Sequence, residues 1–155
     1  MSESVVRARI KTIMESASGV YNVYDTERYF NTEADRLSVM KATVNDVDQI
    51  RAWMISQGSG EEKQDIIGVG TSSGGVLIRR HYIIKGWLGL KDSETTEKTL
   101  NTIISNIQKK FRDNRNLSGD CWMHEGLQVD KISHIDMTGI LCNYCELSLV
   151  VLERV

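Results

Sequence analysis

Apolar side chains recur at helical spacing in two places along the chain. Val6, Ile10, Ile13, Met14 and Ala17 fall on one stripe, with Lys11 and Glu15 opposite, and predict a helix over residues 4–17. Ser2 or Ser4 can cap its start, and Gly19 stands where a left-handed C-terminal residue is expected. Leu100, Ile103, Ile104, Ile107 and Phe111 share one arc of a second predicted helix that begins after Asp92-Ser93. Glu94 and Glu97 suit its positive end, Lys109, Lys110 and Arg112 its negative end, and Asn114 or Asn116 can terminate it.

Elsewhere the spacing is that of strands. Residues 20–24 are β-branched and aromatic and predict a short strand, whereas 25–36 are polar and suggest no clear element. Residues 37–44 and 49–55 flank Asn45-Asp46-Val47-Asp48, which predicts a hairpin. Residues 57–65 read as a polar, glycine-containing loop. From Val76 to Leu88 the period is two, so Ile78, Arg80, Tyr82, Ile84 and Leu88 face inward and Trp87 lies opposite. An inward Arg80 needs a partner. Residues 127–137 lead through Gly139 into residues 140–152, long and apolar enough for a central strand. The order α-β-β-β-β-α-β-β predicts an α+β fold: a single mixed or antiparallel sheet with two main helices packed on it, in one domain over residues 1–155.

Composition narrows the function classes. With 19 Lys and Arg against 21 Asp and Glu, the net charge is −2, which lacks the cationic surplus of a dedicated nucleic-acid binder. At 41% apolar and 26% charged the chain is an ordinary globule, and no apolar run is long enough to span a membrane. The charged start, Met1-Ser2-Glu3-Ser4-Val5-Val6-Arg7, does not read as a signal peptide, and three cysteines leave free thiols, so a cytoplasmic setting is expected. Without any proline, turns depend on Gly, Asn, Asp and Ser, and no proline-rich linker divides the chain.

Local chemistry is sparse. Cys142-Asn143-Tyr144-Cys145 has the spacing of redox and zinc sites, but in a continuous strand the two thiols point to opposite faces. Gly68-Val69-Gly70-Thr71-Ser72-Ser73-Gly74-Gly75 lacks the glycine spacing of a phosphate cradle and precedes a strand, so a loop or hairpin turn is expected. His81 and His134 read as ordinary strand residues. Cys121, His124 and Glu125 are the one candidate constellation for an enzyme or ligand-binding module, although Cys and His this near in sequence are more often a simple loop.

Three stretches carry a family resemblance. They are the N-terminal helix ending at Gly19 and running into Val20-Tyr21-Asn22-Val23-Tyr24-Asp25; Arg79-Arg80-His81-Tyr82-Ile83-Ile84-Lys85-Gly86-Trp87 followed by the helix from Asp92 to Arg112; and Tyr144-Cys145-Glu146-Leu147-Ser148-Leu149-Val150-Val151. In this pattern of elements, over a little more than half its length, the chain resembles the tail terminator (tail completion) proteins of long-tailed bacteriophages. The resemblance implies a virion structural protein of the tail and neck, assembled in the host cytoplasm. It would form a hexameric ring on the tail tube, stop tube polymerisation and present a docking surface to the head–tail connector. It also implies no catalytic residue, no cofactor and no metal, and as partners further copies of the chain, the tube protein and a connector or neck protein.

Such a ring must match the last tube ring on one face and refuse another on its other face. Mixed-charge loops can supply that complementarity. The expected interface residues are Glu33, Asp35 and Arg36 in the unassigned stretch, and Glu61, Glu62 and Lys63 in the polar loop.

Overall fold

A computed structural model describes residues 3–58, 64–67, 75–89, 93–119, 121, 123–137 and 140–154. The elements run α1 (Glu3–Glu15), β1 (Asn22–Tyr24), α2 (Glu33–Met40), β2 (Lys41–Val44), β3 (Val47–Gln57), β4 (Gln64–Ile67), β5 (Gly75–Gly89), α3 (Ser93–Asp113), β6 (Met123–Met137) and β7 (Ile140–Arg154). A 3-10 turn at Leu117–Gly119 links α3 to β6. The expected α+β class holds, with one mixed sheet of seven strands in the order β1-β3-β5-β7-β6. β2 shares a flank of β3 with β1, and β4 lies beside the start of β5. Among the described strands only β1 runs parallel to its neighbour, pairing Asn22–Tyr24 with Ala52–Met54.

Both helices expected to pack on the sheet lie on one face of it. Val6, Ile10, Ile13 and Met14 of α1 and the whole predicted stripe of α3 are buried in a single cluster with Trp53, Ile55, Tyr82, Ile84, Cys145, Leu147 and Leu149. Each of the five α3 side chains contributes roughly 1.5–3 kcal/mol by leaving water, before entropy is subtracted. Gly19, at φ +87°, ends the α1 connection as expected. Its carbonyl accepts from Arg51 Nη1 at 3.0 Å, and Asn106 Nδ2 donates to Ser18 at 3.2 Å, so β3 and α3 both hold this turn.

The opposite face carries the third helix, which the sequence did not suggest. Residues 37–40, read as the start of a strand, belong to α2; β2 begins only at Lys41. Thr32 caps α2 by accepting from Asp35 N at 3.2 Å. Met40 and Leu37 pack on Ile50, Ala52, Met54, Trp87 and Cys142 in a second core. The β2–β3 hairpin forms as predicted, through a tighter turn. Asn45 and Asp46 take φ of 50° and 62°, while Val47 and Asp48 already pair in the ladder. Gln64 and Asp65, expected in the polar loop, are strand residues of β4.

β5 alternates as predicted, with Tyr82, Ile84 and Leu88 toward the helices and Trp87 toward α2. Arg80, inward-facing, pairs with Glu153 of β7 at 3.1 Å. β7 is the central strand expected, bonded to β5 on one side and β6 on the other.

Candidate functional site

Glu33, Asp35 and Arg36, expected on a loop, stand on the first turns of α2. Their acidic members suit the positive end of that helix, which is one physical reason for the charge there. Glu61, Glu62 and Lys63 lie outside the described residues, as do residues 68–74 of the glycine-rich stretch. The described strands β4 and β5 pair antiparallel, from Gln64 with Ile78 to Ile67 with Gly75.

Cys121, His124 and Glu125 do not converge on a reaction centre. His124 is buried, its Nε2 donating to the carbonyl of Phe111 at 2.8 Å while Nδ1 accepts from Gly126 N at 3.0 Å. The Nδ1 contact requires the tautomer with its proton on Nε2, so neither nitrogen is left to take a proton from a thiol. The ring instead ties the end of α3 to the start of β6, edge-on to Phe111. Glu125 pairs with Arg79 of β5.

Cys142 and Cys145 are buried in different cores on opposite faces of β7, as the strand geometry predicted. Burial pushes the Cys142 thiol up to about 11, with the charge of Asp136 adding to it, and burial pushes Cys145 up to about 12. Thiols held protonated in this way are poor nucleophiles and poor ligands. His81 is half-buried and His134 exposed. Among the described residues, no three His, Cys, Asp or Glu side chains gather as a metal site would need. No described helix is long and apolar enough to cross a membrane.

Two features went unread in the sequence. The first is the bare edge formed by β6. From Gln128 to Asp136 only Ser133 is not exposed, and Val129, Ile132 and Ile135 are 40%, 46% and 38% exposed, with Leu141 across the hairpin at 59%. These three recur every third residue, a spacing that fits neither a half-buried strand nor a helix stripe. An irregularity between Val129 and Lys131 resolves it: Val129 and Ile132 pair with Leu147 and Cys145 on the helix-bearing side, and Ile135 pairs with Cys142 on the other.

The second feature is a cleft of about 380 Å³ between residues 27–33, the start of α2 and the sheet. Met40, Met54, Phe30 and Trp87 line it beside Arg28, Arg36, Glu27 and Glu33. Lys85 donates to Glu27 at 2.9 Å, and that bond holds the Glu27 carboxyl below its usual range. No protein-family model matches the sequence, and no curated protein is similar to it.

Proposed function

We propose that this chain is a structural assembly protein, a phage tail terminator whose copies close into a hexameric ring at the end of the tail tube. One face of the ring would meet the tube protein and end its polymerisation; the other would receive the head–tail connector. The observation that carries the reading is the β6 edge. A long strand beyond which no other described strand lies, with apolar side chains exposed on both faces, is a template for another chain. Charges at Asp130, Lys131 and Asp136 restrain indiscriminate pairing and set the register of a specific one. In a ring, that edge would meet a different surface of the next copy, the head-to-tail contact from which closed rings are built.

Native mass and negative-stain images of the chain, alone and with tail tubes, test the reading. Six-fold rings, in solution or on tube ends, are expected. Replacing Ile132 and Ile135 with Lys should leave the secondary structure intact, since both are exposed, and abolish the ring. A wild-type chain that remains monomeric in the presence of tubes, or a double variant that caps tubes normally, would overturn the reading.

A further inference from the structure

The cleft between residues 27–33 and α2 joins an apolar floor, shared with the second core, to a cationic mouth. Its floor is polarisable and apolar, made by the thioethers of Met40 and Met54 and the indole of Trp87, with Phe30 in the wall. Trp87 is only 8% exposed, and its indole Nε1 is buried without a hydrogen-bond partner. Donors in that state are rare in folded proteins, because the lost hydration is not replaced. The mouth carries two guanidinium groups. Arg28 stacks over Tyr24, 5.1 Å from the ring centroid, and among the described residues neither it nor Arg36 has a carboxylate partner. Of the two acids in the lining, Glu27 is engaged by Lys85 and by the Tyr29 hydroxyl, and Glu33 sits on the first turn of α2.

We propose that this cleft binds an amphipathic carboxylate, with an aromatic or branched apolar body and an anionic head. The body lies against Met40, Met54, Phe30 and the Trp87 ring, and Arg28 and Arg36 receive the charge, which guanidinium forks do with paired bonds. The volume suits such a molecule, since small-ligand pockets run from about 300 to 1,000 Å³. The same chemistry is found in a free carboxylic acid and in the carboxyl end of a polypeptide. The cleft shares no residue with the β6 edge proposed for ring closure, so loss of the ring and loss of ligand binding are separable outcomes.

The test follows the indole N–H resonance of Trp87 in the ¹⁵N-labelled full chain, assigned with a Trp87→Phe variant, on adding 3-phenylpropionate or its neutral amide. A saturable shift is expected with the acid, at about millimolar concentration for so small a probe, and about tenfold weaker binding of the amide. Arg28→Ala with Arg36→Ala should weaken the acid about tenfold and leave the amide unchanged. Should that pair fail to fold, Arg36→Gln alone, together with the acid–amide comparison, decides the same point. N-acetyl-glycyl-phenylalanine distinguishes the sources: binding about tenfold tighter than 3-phenylpropionate assigns the site to a polypeptide end, and weaker or equal binding to a free acid. No saturable shift at Trp87, equal binding of acid and amide, or an arginine variant with unchanged affinity overturns the proposal.

Discussion

The indole of Trp53 occupies the space that a side chain on Gly86, its ladder partner, would fill. A Cβ on residue 86 would stand 2.6 Å from Trp53 Cε3 and 2.8 Å from Cη2, and both residues are buried where β3 meets β5 beneath the helices. The glycine is required by the ring, and the ring covers the backbone that the glycine leaves bare.

Gly86→Ala should therefore lower stability by about 1–3 kcal/mol through overpacking. Urea denaturation would show it as an earlier midpoint with an unchanged slope. Trp53→Phe removes the second ring and should be less harmful in the Gly86→Ala background than alone. Additive effects of the two substitutions would mean that the contact does not couple them.

Arg80 and Glu153 form a second such dependence. The Glu153 side chain is 2% exposed and that of Arg80 17%, with Nε and Oε2 3.1 Å apart. Arg80→Met alone would leave a carboxylate buried near the Tyr82 hydroxyl, which is itself buried without a hydrogen-bond partner. A loss of about 3–5 kcal/mol is expected. Arg80→Met with Glu153→Leu removes both charges and should recover most of that loss, measured by the same denaturation. A double variant as unstable as the single one would show that the pair stabilises the fold beyond neutralising itself.

The buried thiols set an alkaline limit. Cys142 and Cys145 are raised to about 11 and about 12 in the fold, above the value near 9 that they take when exposed. A raised acid favours the protonated native state. Its contribution is complete below the unfolded value and is lost as pH rises toward the folded one. Stability should thus fall from about pH 9 upward, by about 1.4 kcal/mol per pH unit for each thiol ionising on unfolding. In a Cys142→Ala, Cys145→Ala chain the decline between pH 9 and 11 should be shallower. The remaining slope would come from groups such as Tyr82 and Tyr144, whose hydroxyls burial also holds protonated.

Helices α1 and α3 and the alternation of β5 were legible because each buries one face, and one buried face imprints one period on the sequence. The need of Arg80 for a partner followed from the same period. α2 was not legible. It passes into β2 at Lys41, whose ψ of 137° ends the helix without a glycine or proline to mark the change, so residues 37–44 read as a single run. The parallel pairing of β1 with β3 is a tertiary choice that no local residue encodes. The bare stretch of β6 was hidden for a related reason: its period is broken by the bulge, and exposure depends on helices that stop short of it. The cleft joins a segment with no clear period to residues from β3 and β5, and only folding brings these together.

The ladder between β5 and β7 joins Leu88 to Asn143 and Leu77 to Arg154, partners more than fifty residues apart along the chain. The β2–β3 hairpin can close within microseconds of its synthesis, but the middle of the sheet must wait for a large loop to be drawn shut. Until then β5 would expose the flank that β7 later occupies, and the main core would lack Cys145, Leu147, Leu149 and Val151. Folding should accordingly be slow for a protein of this size. During that interval nascent chains are at their most vulnerable to pairing with one another, a hazard that a protein made in many copies at one site would have to outrun.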